Sequence, residues 1–471
     1  FRYVRFIILA VSVFYLAFVQ ASVMAFNTAY VVLSDRTTSP LYSKHQGLVN
    51  QSAGSLMPFD WAPSYLPLAL QRYPMDAVQR SFTFAASFAG GLIGTFPMLY
   101  ALRRLGAHMT MFIVGAVSSI LCALTPQVMS ASFVLFVVLR FVSGFITAPV
   151  FPVIGTIIES WAALGEMGLF VAILIAHIEL ASLFTLPVGS LIAEKVSWPA
   201  VFYVHGLICA FFSVLWLLAY RNDAVKHPMI AYDEVEMITR GKSHGITVGP
   251  PYRAIFTSKA VWSVFIAAIG TIFVGQFMGI FSPQYFTAVL GYSPTLTGTL
   301  TIIPTICLLP VKAVTGVLSD RMRIMSEVAK LRLFNSLACF LGAAVFVVVI
   351  LVPPSTSIPA ATALIMIPFI LMAFASGGFN KAAVMISRQH SSFIFSIVHI
   401  LAQTSLLIGS FLIPILTPDN TFEEWRIVFI IFIIVLIISN TIFIIFVKAE
   451  PEEWAEQKVT MEFIQLSEEP R

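Results

Sequence analysis

Apolar stretches of roughly 20 residues, the length a helix needs to cross a bilayer core, recur about a dozen times along this chain, six before and six after a charged segment around Arg240. Lipid offers no water to an open backbone, so each stretch must satisfy its own hydrogen bonds as a helix. Residues that would face water in a soluble protein are scarce: 58% of the 471 residues are hydrophobic, 11% are charged, and 42 are phenylalanine. We place the spans at about 5–32, 80–102, 109–127, 131–158, 168–192, 199–220, 259–290, 296–318, 331–352, 359–386, 391–416 and 426–447. The fold class expected is an all-α membrane protein with twelve transmembrane helices in two six-helix halves. Residues 1–220 form the first half, 221–258 a connector, 259–447 the second half and 448–471 an acidic tail.

The positive charges are sorted by side. With the first residues in the cytoplasm, only Arg36, Lys44, Arg72, Arg80, Lys195 and Arg426 of the 27 lysines and arginines fall on the far side, and Arg140 and Lys312 lie within spans. The positive-inside rule then places both termini in the cytoplasm. The long loop at 34–80 falls outside the cytoplasm and carries the one N-x-S/T sequon, Asn50-Gln51-Ser52, which makes Asn50 a candidate glycosylation site. The chain opens at Phe1 rather than Met, so further residues are expected before it, and the first span is too long for a cleavable signal. Cys122, Cys209, Cys307 and Cys339 all sit in apolar spans, which predicts neither a disulfide framework nor a metal site.

Several motifs resemble known transporters. Gly316-Val317-Leu318-Ser319-Asp320-Arg321 is similar to the G-x-x-x-D-R loop of major facilitator proteins, in which glycine allows close helix approach and the aspartate sits by a helix N-terminus while pairing with arginine. The equivalent loop of the first half has Arg103 and Arg104, but no acid occurs between Asp76 and Glu159, so the gate is assigned to Gly316, Asp320 and Arg321. Arg140 to Gly144, the block Ser197-Trp198-Pro199-Ala200-Val201-Phe202-Tyr203, His227-Pro228, Gly377-Gly378-Phe379-Asn380 and Trp425-Arg426 together resemble the anion/cation symporters: sialin, the vesicular glutamate transporters and the type I sodium-phosphate cotransporters. The resemblance runs from the first span to the last and implies the major facilitator fold, two halves with a substrate site between them. The chain departs from the family where Ala25, two residues before Asn27, stands in place of an arginine. Thr271 stands near the family's seventh-span arginine, and Thr147 stands in place of a glutamate.

Candidate site residues follow from polarity inside spans, where a charge is costly and faces a cavity or a partner. Arg140, Ser143, Gly144 and Thr147 share one helix face. Arg140, Thr147, Asn27, Gln276, Asn380 and His399 are candidates for binding substrate. His177 and Glu179 are candidates for coupling; two residues apart, they cannot share a face, and either a proton relay or helix–helix bonding accounts for them. Ser392, Ser396, His399 and Gln403 form one polar stripe, as interhelical contacts or as cavity lining. Lys312 lies eight residues before Asp320, about 12 Å along a helix.

No Walker loop, H-E-x-x-H, C-x-x-C or G-x-S-x-G occurs, so no enzyme, cofactor or nucleic-acid partner is expected. The function expected is secondary active transport of a small organic or inorganic anion, coupled to a proton or sodium ion. Its membrane would be the plasma membrane or a lysosomal or vesicular one. An uncoupled facilitator, or a non-transporting receptor on a transporter fold, is the alternative.

Overall fold

The computed structural model of the chain describes residues 3–34, 67–73, 75, 77–240, 250–292 and 294–455; Asn50, most of the long loop and the acidic tail lie outside them. Among the described residues nine segments are long and apolar enough to cross a membrane. Two of them, Phe82–Ala131 and Ile358–Gly409, run to 50 and 52 residues, enough for two crossings each, and the shorter apolar helix Lys259–Gly275 supplies one more. Twelve crossings result, and no strand is present among the described residues.

The first span is Val4–Ser34. The second and third run through Ala77–Ala131, which turns at Gly106 (φ 77°, ψ 165°). That conformation favours glycine, and a Cβ there would collide with the Asn222 amide, whose Oδ1 accepts the His108 N–H at 2.8 Å to close the turn. The sixth span is Trp198–Ala219, the eighth Pro294–Arg321, the ninth Glu327–Leu351, the eleventh Ser391–Leu416 and the twelfth Phe422–Phe446.

Four spans expected to be continuous are broken. The fourth divides into Phe133–Thr147 and Pro152–Trp161 because Pro149 and Pro152 lack the N–H groups that would continue the ladder. The seventh divides at Phe281 into Lys259–Ile280 and Ser282–Ala288, with Pro283 opening the second piece. The tenth divides into Ile358–Leu371 and Phe379–Ser387 across a 3-10 turn ending at Gly377-Gly378. The fifth divides at Ala176 into Met167–Ile175 and His177–Lys195 without a proline. There the His177 ring bonds the Leu174 carbonyl at 2.8 Å; because a carbonyl only accepts, Nδ1 carries the proton.

Within the first half, spans two and four meet backbone to backbone. A Cβ on Gly144 would overlap the Ser87 carbonyl oxygen, and one on Gly90 the Phe141 carbonyl oxygen. Small residues permit this approach, on which helix association in lipid depends. Gly144→Val is accordingly expected to cost about 1–3 kcal/mol through overpacking, read as a drop in melting temperature in detergent. Gly165→Val, with nothing within 4 Å of its Cβ, is the control that should leave melting unchanged.

The Trp-Pro block opens the sixth span and pins the far loop. Trp198 Nε1 donates to the Gln71 carbonyl at 3.0 Å, and Tyr73 N donates to the Leu33 carbonyl at 2.8 Å. In the second half Phe277, Phe346, Phe369, Phe429, Phe432 and Trp425 form an aromatic cluster with ring centroids 5.6 to 6.5 Å apart, a use for the abundant phenylalanines.

The connector helix Tyr232–Thr239 is fastened to the start of span one. Glu234 accepts the backbone N–H groups of Val4 and Arg5, both at 3.0 Å, and the Arg5 guanidinium at 2.9 Å; Arg5 also forks onto Glu166 at 2.8 and 2.9 Å. At the other end of the chain, Glu452 N donates to the Ile386 carbonyl at 3.1 Å and the Glu452 carboxylate accepts from Ser258 at 3.2 Å. Tyr3, the connector and Ala455 therefore share one face, the connector face.

Candidate functional site

The two halves touch from the connector face up to mid-depth. Nearest that face, Gly316 of span eight lies so close to span five that a Cβ would come within 2.9 Å of both Ala172 Cβ and the Gly168 carbonyl oxygen. Asp320 then accepts the N–H groups of Gly168 and Leu169 at 3.2 and 2.9 Å, at a helix end where such donors lack intrahelical partners and the dipole favours an anion. The cation paired with Asp320 is Lys381 of span ten, at 2.8 Å, which also bonds Ser319 Oγ at 3.1 Å. Arg321, expected in that role, is exposed instead, since the next residue on a helix faces away from its neighbour. Ser391 Oγ of span eleven donates to the Gly155 carbonyl of span four at 3.1 Å, and the backbones there pass so closely that a Cβ on Gly155 would lie 2.5 Å from Ser392 N.

One layer higher, Glu179 of span five and Lys312 of span eight form an ion pair at 2.7 Å across the two halves. Their side chains are 19% and 8% exposed, and Glu179 Oε2 is buried with no hydrogen-bond partner. Glu179 lies twelve residues into span five, about 18 Å from the connector end at 1.5 Å per residue, close to the middle of a bilayer core of about 30 Å. Beside the pair, Thr95 Oγ1 of span two donates its one proton to the Gly91 carbonyl at 2.7 Å, so it accepts from His399 Nδ1 of span eleven at 3.0 Å. That leaves His399 Nε2 as an acceptor for Gln403 Nε2 at 3.2 Å. Every position of the neutral imidazole is thus filled, and a second ring proton would meet a donor. Phe151, at the break in span four, stacks on His399 with centroids 6.1 Å apart and meets His177 edge-on at 6.2 Å.

The other sequence candidates lie elsewhere. Arg140 is buried inside the first half and does not face the second half. Its Nη1 donates to the Val23 carbonyl of span one at 3.0 Å, and the guanidinium sits 4.9 Å from the Phe26 ring. With Ser22, Ser118, Cys122, Thr125 and Phe202 it borders a cavity of about 10 Å³, the room of one water. The polar face of span four, legible from spacing, turns toward spans one and two because Gly144 must pack on Ser87. Thr147 Oγ1 bonds back to the Ser143 and Gly144 carbonyls of its own helix at 2.9 and 3.2 Å. Asn380 Nδ2 ties the broken tenth span together by donating to the Ala375 carbonyl at 3.2 Å. Asn27 is exposed on span one, and the side chain of Gln276 lies outside the described residues. Sequence reasoning named Glu179 and Lys312 without pairing them and missed Phe151, whose signal was its place between Pro149 and Pro152.

The two six-helix halves match known proteins. The model of the Major Facilitator Superfamily matches residues 52–386. The chain belongs to that superfamily. Human sialin is 25% identical over 391 residues, covering 82% of this chain and 78% of sialin. The vesicular glutamate transporter 1 of Xenopus laevis is 22% identical over 445 residues, covering 92% of this chain and 73% of its own. Among solved structures, the proton:xylose symporter XylE bound to 6-bromo-6-deoxy-D-glucose superposes with a TM-score of 0.60 at 15% identity, over 93% of this chain and 95% of the symporter, a likeness of fold. This major facilitator protein is thus an integral, multi-pass membrane transporter related to sialin and the vesicular glutamate transporters. Its relatives are transporters, not enzymes.

Proposed function

We propose that this transporter moves a small anion together with a proton, and that Lys312 holds the anion while Glu179 holds the proton. The observation that carries this reading is the cross-half Glu179–Lys312 pair, with one carboxylate oxygen left without a partner. When Glu179 is ionised it neutralises Lys312, and the empty site carries no net charge. When Glu179 takes a proton, Lys312 loses its counter-ion and accepts the anion, so the loaded site is again neutral. With only one of the two ligands a net charge would be buried at mid-depth, which costs several kcal/mol, so the halves rock when the site is empty or doubly loaded. His399 does not carry the proton in this scheme, because its ring is held by an acceptor and a donor suited to the neutral form.

Further support comes from the relatives: the vesicular glutamate transporters are named for an anionic solute and the structural neighbour for a proton. The excess of positive charge on the connector face supports a cytoplasmic orientation for it, in a plasma, lysosomal or vesicular membrane. Uptake into proteoliposomes of phosphate, urate, glutamate, sialic acid and aspartate, each under a proton, sodium or null gradient, tests the reading. Accumulation of one of these anions under the proton gradient alone is expected. Accumulation driven by sodium would remove Glu179 from coupling, equilibration without a gradient would make the protein a facilitator, and a flat panel at verified insertion would favour a receptor.

A further inference from the structure

We propose that Phe151 is the seal of the translocation pathway: its ring closes the Glu179–Lys312 site off from the connector face, and transport requires it to swing aside. Phe151 stands at the junction in span four between the 3-10 turn Ala148–Val150 and the helix Pro152–Trp161. Two prolines leave this stretch without the ladder bonds that hold a side chain to a rigid helix. The ring reaches across the boundary between the halves: it belongs to the first half, and it meets Phe395 at 5.9 Å and stacks on His399 at 6.1 Å, both on span eleven of the second. Its other neighbour, His177, opens the second piece of span five and lies two residues from Glu179.

Burial places the ring at a boundary. Phe151, His399 and Glu179 are all half-buried. One turn further toward the connector face, Gly155 and Ser391 are buried and their backbones touch. The polar and ring contacts between the halves named above include this level and continue down to Asp320, so the Phe151 ring sits in the boundary layer directly above the closed backbones. An apolar ring there excludes water from beneath the charge pair, as hydrophobic constrictions do in other pathways. The neutral, fully bonded His399 gives it a fixed surface to rest on. When the halves part on the connector side, the stack on span eleven is lost and the ring turns toward His177, its neighbour within the first half.

The proposal stands on the transporter fold and needs the symport reading only for the comparison of fluxes. The test is proton permeability of solute-free proteoliposomes, alongside gradient-driven accumulation. Phe151→Ala is expected to raise the leak by about tenfold, a change of roughly 1.4 kcal/mol in the barrier, and to lower accumulation in step. Phe151→Leu, which refills the space with an apolar side chain, is expected to restore the seal. An unchanged leak in Phe151→Ala overturns the proposal. If Phe151→Ala fails to fold, Phe151→Val is read in its place, and a loss of melting temperature without a leak in that variant overturns the proposal equally. A leak in the variant when the wild type accumulates no solute would uphold the seal and sink symport; accumulation without a leak would sink the seal alone.

Discussion

Lys312→Gln is expected to reduce proton-driven uptake by at least about 100-fold, because it removes the cation that faces Glu179 at 2.7 Å and strands that carboxylate in the interior. Removing one partner of a buried pair costs roughly 3–5 kcal/mol, and 1.4 kcal/mol is a factor of ten. Glu179→Gln should behave differently. Its amide can still bond Lys312 but cannot exchange a proton, so exchange of labelled for unlabelled solute is expected to persist while accumulation against a gradient is lost. Counterflow and driven uptake, measured on the same vesicles, separate the two. The double variant Glu179→Gln/Lys312→Gln is expected to melt above the Lys312→Gln single variant, since no unpaired charge is left buried. Melting below it would mean that the two residues are not coupled.

Asp320→Asn is expected to open the connector face. An amide can no longer offer both oxygens to Gly168 N and Leu169 N, and it leaves Lys381, whose side chain is 5% exposed, without its nearest counter-ion. Glu327 remains 3.5 Å from Lys381, so the protein should fold. The closed state should lose roughly 2–3 kcal/mol from the charged hydrogen bonds, about a 30- to 150-fold shift in the equilibrium between faces. Labelling of Ser392→Cys by a membrane-impermeant thiol reagent applied to the connector side reports it, in a background without the four native cysteines. Faster labelling with Asp320→Asn than without it is expected; equal rates would show that the contact is not a latch.

Much of this was legible in the chain, and the limits have physical causes. The number of crossings followed from apolar length alone, because lipid enforces helices. Gly316 and Asp320 were legible because their chemistry, close approach and helix capping, depends on a short local spacing. Their partner was not: Lys381 lies 61 residues from Asp320, and the adjacent Arg321 offered a nearer choice that helix geometry turns outward. Glu179 and Lys312 stood out as charges in spans, but their pairing joins positions 133 apart, which no local pattern encodes. For Arg140 the helical period gave the right face and could not say which neighbour that face meets; the glycines at 90 and 144 decide it. The break at Pro149 and Pro152 announces itself in sequence, whereas the one at Ala176 is held by a histidine side chain and carries no backbone signal.

The carboxylate of Glu234 has a consequence for how the molecule is made. The first backbone amides of span one, at Val4 and Arg5, are satisfied by an acid 230 and 229 residues further along. At about 5–20 residues per second, roughly 10 to 50 s pass between synthesis of the span and of its cap. By the end of that interval six crossings have been made with the leading helix end still unfinished, and Arg5 has gained Glu166 as its one carboxylate partner before Glu234 arrives. The ribosome's delivery of the connector is therefore the event that closes the first half, and a fragment ending at residue 220 would stay in the condition of the nascent chain.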